Sequence, residues 1–316
     1  MQVASERNRF LVWIVAGAAL LVILAVFLFR DRAPGGDGRT LEKEPQVQVV
    51  GPGGDVKDMG IETYVAGVVA GEMLPGWPKE AYAAQALVAR TFAIQYLESR
   101  DTRRISTDFE QAQAYQPDKV TDAIRQAVEE TRGRVITYGG EPIRAWFHAY
   151  AGGQTASARE GLAFDEEEPP YVKSITLEEN TLVPQEYRHW TLTLSLDEVR
   201  QALAAAGVSV GPIAAISAER GPTGRITRVL VTSDGGQVTP ISGPEFRAAL
   251  DPERMKSAKV SRFEVGGGRL YIEGTGYGHG VGLSQWDALV MAREGKSAEE
   301  IIQTFYEGVT IERRWE

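Results

Sequence analysis

The chain has 316 residues, 43% of them hydrophobic and 24% charged, a length and balance that can bury one large core or two smaller ones and that exclude a disordered chain. It has no cysteine, which removes disulfides, thiolate zinc sites, iron–sulfur clusters and cysteine nucleophiles, and only three histidines, His148, His189 and His279. The net charge is −9, so chemistry falls largely to carboxylates and a basic nucleic-acid surface is not expected.

Phe10 to Phe29 is a run of 20 residues without a charge. At helical rise it covers about 30 Å, the thickness of a bilayer core, and predicts a single N-terminal membrane span. Residues 1–9 precede it and 30–45 read as a tether rich in glycine, proline and charge. Arg7 and Arg9 on one side balance Arg30 and Arg32 on the other, so charge leaves the orientation open. The first 32 residues hold four basic and two acidic side chains, which leaves −11 on the remainder. Any anionic ligand must then be met locally.

A domain is expected over 46–316. Gln46 to Val50 predicts a strand, and a glycine-rich turn leads to a helix from about Ile61. On that helix Ile61, Tyr64, Val65, Val68 and Val69 form an apolar stripe. Glu72, eleven residues beyond Ile61, returns to within roughly 20° of the same direction. A carboxyl on that face is poorly hydrated and stays protonated near neutral pH, as a general acid must. Equally, Glu72 can mark the helix end before Leu74-Pro75-Gly76. Pro78 to Glu98 predicts a second helix, with Arg90 on the face of Ala83, Ala86, Leu87, Ile94 and Leu97. A guanidinium there needs partners, either an internal ion pair or a substrate, unless the side chain snorkels to the surface.

Asp122 to Glu130 predicts a further helix, and Val135 to Ala149 short strands. The run Trp146 to Thr155 joins aromatics, His148 and the flexible pair Gly152-Gly153. Such a run suits sugar rings, or equally an ordinary strand and loop. Strands at 190–196, 213–219, 225–232, 260–265 and 270–273, joined by glycine turns, predict a β-rich second lobe over 174–262. In the last quarter Gly274, Gly276, Gly278, Gly280 and Gly282 alternate with Thr275, Tyr277, His279 and Val281. Lacking a Gly-Lys-Ser/Thr ending, this is no phosphate loop. Ser284-x-x-Asp287 and Ser297-x-x-Glu300 both fit a capping box. The fold class expected is α+β: a single-span anchor, then a two-lobed domain of helices and antiparallel strands with a cleft.

Four segments in this order resemble the stage II sporulation protein D family, which includes peptidoglycan lytic transglycosylases and amidase-enhancer proteins. They are Tyr64 to Met73, Ala84 to Ala93, Phe147 to Ser157 with Pro170 to Ser174, and Gly276 to Gln285. The resemblance implies Glu72 as catalytic acid. It implies substrate contacts from Gln85, Arg90, His148, Gly152, Gly153, Tyr171, Lys173, His279, Ser284 and Gln285. Some relatives bind zinc through a histidine and two cysteines; His148 matches the histidine and the cysteines are missing, so no metal and no cofactor are expected. The activity implied is cleavage of glycan strands between N-acetylmuramic acid and N-acetylglucosamine to 1,6-anhydro ends. The family further implies a membrane-held domain facing the wall, with an amidase and a multi-pass membrane protein as partners in engulfment during sporulation. A non-catalytic wall-binding activator of an amidase is the alternative. Asp108, Glu110 and Asp287 stand as candidates for a second carboxylate.

Overall fold

The computed structural model describes residues 43–107 and 113–316. β1 (Gln46–Val50) pairs antiparallel with β2 (Val56–Gly60), whose last residue leads straight into α1 (Ile61–Glu72). α2 (Lys79–Ser99) follows, opened by Pro78 at the position before its first turn, where a missing N–H costs no helical bond. β3 (Arg104–Ser106) joins β1 in parallel, and α3 (Asp122–Glu130) is capped by Thr121, whose hydroxyl accepts the Ile124 N–H. β4 (Arg134–Tyr138), β5 (Glu141–Pro142) and the final strand form one small sheet. β6 (Phe147–His148) and the short α4 (Ala158–Leu162) come next in sequence.

The first core lies among α1, α2, α3 and the C-terminal helices. Ile61, Tyr64, Val65, Val68 and Val69 have no solvent-exposed surface, and the alanines of α2 let its neighbours approach closely. Trp315, two residues beyond the final strand, closes this core.

After α5 (Gln185–Arg188), a second core forms from sheets and two capped helices. β7 (Trp190–Ser195) alternates buried and exposed residues and ends at Ser195, which makes a full capping box with Glu198 at the start of α6 (Leu196–Ala205). β8 (Ile213–Arg220), β9 (Ile226–Ser233) and β10 (Val238–Ser242) form an antiparallel sheet, followed by α7 (Gly243–Ala249) with its own Ser242–Glu245 box. β11 (Val260–Gly266) and β12 (Arg269–Gly274) complete a sheet with β7. Phe246, Val229 and Leu270 are the fully buried centre of this second core.

The chain then returns to the first core through β13 (Leu283–Ser284), α8 (Gln285–Arg293), α9 (Ala298–Phe305) and β14 (Thr310–Arg313). β13 runs parallel to β6, placing Ser284 opposite His148. That pairing needs Gly276, Gly278, Gly280 and Gly282 to take positive φ, from 69° at Gly282 to 100° at Gly278. A Cβ on Gly282 would lie 2.0 Å from the Trp146 carbonyl oxygen.

Two expectations are corrected. The fold is a mixed helix and strand unit with separate cores, its sheets are not purely antiparallel, and no helix among the described residues is long and apolar enough to cross a membrane. The span expected at Phe10 to Phe29 lies outside the described residues, as do Asp108 and Glu110. Ser297 and Glu300 form the expected capping box, but Ser284 does not cap α8 with its side chain. Its hydroxyl instead accepts the Ala151 N–H at 3.1 Å and donates to Asp287, because β6 and the Gly152 turn lie against it.

Candidate active site around Glu72

Glu72 ends α1 and is partly buried. Two glycines decide what meets it. Gly67 and Gly71, one turn apart on α1, leave a groove in which the segment after residue 112 settles, and Gln116 donates its N–H to the Gly67 carbonyl. The Ala114 N–H consequently donates to Glu72 Oε1 at 2.7 Å. The Gln285 side chain, at the first turn of α8, also hydrogen-bonds the carboxyl. Burial dominates and pushes the acid up from 4.5 to about 7, while these two hydrogen bonds pull it part of the way back. Glu72 is thus poised between its two protonation states near neutral pH.

Replacing Gly71 tests this local construction. A Cβ there would sit 2.7 Å from the Ala114 carbonyl oxygen, backbone that cannot swing aside. Gly71→Ala is expected to lose about 1–3 kcal/mol by overpacking. It should also push the Glu72 acid above its present value, because the Ala114 N–H is displaced. Thermal melting and a carboxyl NMR titration measure both, and an unchanged midpoint would refute the link.

Gln85 on α2 is fully buried, and its Oε1 accepts from Gln285 Nε2 at 3.3 Å. Three distant segments therefore meet at Glu72, Gln85 and Gln285. Arg90 does not join them. Its guanidinium, with no exposed surface, donates through Nε and Nη2 to Glu62, with Nη2 to Oε2 at 2.6 Å, and reaches the carbonyls of Val128 and Arg134. The expected substrate contact is corrected to an internal ion pair: no saccharide can reach a side chain buried in the helical core. Because Arg90 is spent on Glu62, no guanidinium bonds Glu72 to lower its acid. Glu62 itself was legible by the stripe argument, since Val65, Ala66 and Val69 lie three, four and seven residues beyond it.

A second grouping surrounds the Gly152-Gly153 turn. Tyr150 and Tyr277 exchange backbone hydrogen bonds, and Ala156 N–H donates to the Gly280 carbonyl, so the third and fourth predicted segments lie side by side. The His148 and His279 rings are 5.5 Å apart. His148 Nδ1 lies 3.1 Å from the Val281 carbonyl and must carry the proton there, while His279 Nδ1 accepts the Val281 N–H. Burial pushes both imidazoles down, His279 to about 4, with Arg225 and Arg247 nearby opposing further charge. Both rings are neutral at pH 7. His148 offers only Nε2 as a free lone pair, and no thiolate stands near it in a chain without cysteine, so these residues do not fit the zinc site of some relatives. Among the described residues no cluster of three or more His, Asp or Glu could hold a metal. Gly152 and Gly153 take φ of 69° and 84°, and the Gly152 carbonyl accepts from Lys259 Nζ at 2.8 Å. Burial and the neighbouring Arg225 charge lower Lys259 to about 8.

Tyr171 and Lys173 form a third place. The Tyr171 hydroxyl accepts the Arg144 N–H at 2.9 Å, and the half-buried Lys173 ammonium makes no hydrogen bond or ion pair among the described residues. Two residues beyond the sequence expectation adjoin Gln285. Trp77 and Trp286 meet edge to face with centroids 5.0 Å apart, both half-buried. They are 209 positions apart, and no spacing rule could pair them. Asp287 is buried but committed, bonded by Ser284 and by Asn180 Nδ2 at 3.1 Å.

A family model described as "Stage II sporulation protein" matches residues 53–138, the stretch holding α1, α2 and Ala114, and a domain of unknown function matches 163–282. An uncharacterized protein of Brachyspira hyodysenteriae is 32% identical over 263 residues, covering 81% of this chain and 67% of that protein. A protein of Bacillus subtilis named "Amidase enhancer" is 27% identical over 285 residues, 78% of this chain but 40% of that longer protein. "Stage II sporulation protein D" of Bacillus amyloliquefaciens is 30% identical over 273 residues, covering 81% of this chain and 75% of its own length. With the helices that carry Glu72 and Gln85 inside the matched stretch, the chain belongs to the stage II sporulation protein D family.

Proposed function

We propose that the chain is a peptidoglycan lytic transglycosylase with Glu72 as its acid and base. The observation that carries this reading is the partly buried Glu72 carboxyl, held by one backbone donor and one amide and poised at about 7. In the reaction Glu72 protonates the oxygen linking N-acetylmuramic acid to N-acetylglucosamine, and the C1–O bond breaks. The carboxylate so formed takes the proton of the muramic 6-hydroxyl as O6 bonds to C1. The proton returns to Glu72, no water is consumed, and the product carries a 1,6-anhydro ring. Hydrolysis ordinarily needs a second carboxylate free to act as nucleophile or base, and among the described residues the candidate for it, Asp287, is already engaged by Ser284 and Asn180. The Trp77 and Trp286 rings offer apolar surface to a sugar face beside Gln285, and the uncommitted Lys173 ammonium suits a muramic carboxylate. This substrate sets the domain outside the cytoplasm, and sporulation is the process suggested by the relatives' names.

A second reading is favoured by the similarity to the amidase enhancer: a wall-binding partner that speeds an amidase without cutting glycan. Incubating the full chain with purified, peptide-stripped glycan separates them. Anhydro-muramic ends are the expected product. No ends from the chain alone, with faster peptide release by an added cell-wall amidase, would replace the enzyme reading by the activator.

A further inference from the structure

The amide nitrogen of Gln85 is fully buried and has no hydrogen-bond partner, although the same side chain accepts from Gln285 through its oxygen. An unpaired buried donor costs stability and calls for a reason. A reason lies in what amides can do. A half-turn of a terminal amide exchanges donor for acceptor in nearly the same space. As placed, Gln285 Nε2 donates to Gln85 Oε1, and the Gln285 side chain bonds Glu72 in a way that favours the carboxylate. If both amides turn together, Gln85 Nε2 gains a partner in Gln285 Oε1. That same oxygen then faces Glu72 as an acceptor, the arrangement a protonated carboxyl needs.

We propose that Gln85 is a positioning residue that acts through Gln285, holding the Glu72 carboxyl in one place in both of its protonation states by paired rotation of the two amides. The idea rests on the acid and base roles given to Glu72 above. It fits the surroundings of the carboxyl. Tyr64 on α1 feels the Glu72 charge. Arg90 on α2 is closed on Glu62, and Asp287 on α8 on Ser284 and Asn180. Tyr115, Asp118 and Lys119 follow Ala114, and the latter two are exposed. None of these groups bonds the Glu72 carboxyl among the described residues, which leaves the amides and the Ala114 N–H to orient it.

The test is a carboxyl titration of Glu72 in the full chain labelled with ¹³C-glutamate, assigned by Glu72→Gln, in wild type and in Gln85→Met. Without its anchor Gln285 holds both states less firmly. The bond to the charged carboxylate is the stronger of the two, so its loss outweighs the other and the midpoint should rise by about half a pH unit or more. In glycan digestion the same variant should lose about tenfold in kcat with KM little changed, and its alkaline limb should move up with the midpoint. Gln85→Asn, one methylene short of Gln285, should shift the midpoint in the same direction and serves if the methionine variant does not fold. A midpoint unmoved in the folded variants overturns the proposal even if wild type cuts glycan. A midpoint that moves in a chain without glycan-cleaving activity upholds the relay and refutes the transglycosylase reading.

Discussion

Glu72→Gln is expected to lower the release of anhydro-muramic ends by about 10²–10⁴-fold, the range that general acid–base groups contribute, with the fold intact. Glutamine keeps the shape and still accepts the Ala114 N–H, so loss of the proton is the one large change. For wild type, activity should fall as pH rises through about 7, where Glu72 gives up the proton the leaving oxygen needs. A plateau extending to pH 9 would remove Glu72 as the acid. Stability carries the same signature with its own sign. The folded state holds this proton more tightly than the unfolded chain, so the contribution is fully present below 4.5 and is lost as pH rises to about 7. Above that window the carboxylate costs at most about 3 kcal/mol, a cost the glutamine variant escapes. Glu72→Gln should therefore melt higher than wild type at pH 8 and close to it at pH 4.5. Equal differences at both pH values would contradict the burial of Glu72.

Breaking the other carboxylate should be far more damaging to the fold. Glu62 accepts from Arg90, from the Gly133 N–H at 3.0 Å and from Trp315 Nε1 at 3.0 Å, and so ties α1, α2 and the C-terminal residues together in the first core. Glu62→Gln leaves a guanidinium without its counter-charge inside that core, which costs about 3–5 kcal/mol. For a domain of this size the melting temperature should fall by about 10 °C. The paired replacement Glu62→Leu with Arg90→Met should recover much of the loss, because apolar side chains leave no uncompensated charge. A double variant as unstable as the single one would show that the orphaned Gly133 and Trp315 donors and the packing, not the buried charge, set the penalty.

Helix periodicity made Glu72 readable. The stripe from Ile61 to Val69 is a local property of one helix, and the carboxyl's direction follows from 3.6 residues per turn. The same rule placed Arg90 on a buried face but could not choose its partner. A guanidinium on α2 can turn toward either carboxylate of α1, and only the packing angle of the two helices gives it Glu62. The Ser284 motif shows a similar limit. Ser-x-x-Asp has the right residue types for a capping box, yet the Gly152 turn brings the Ala151 N–H within reach of the hydroxyl, and the long-range contact wins.

The amino acids alone determined which groups could do chemistry: carboxyls on the apolar side of one helix, no thiol, three imidazoles, and glycines spaced to let backbones touch. These are matters of composition and local period, carried by each segment wherever it lies. Which groups meet was left to the tertiary structure. The Ala114 N–H over Glu72, the Gln85–Gln285 contact and the Trp77–Trp286 pair join residues 42, 200 and 209 positions apart. Such contacts arise only when whole helices and loops pack to exclude water, and no window along the chain contains the information that sets them.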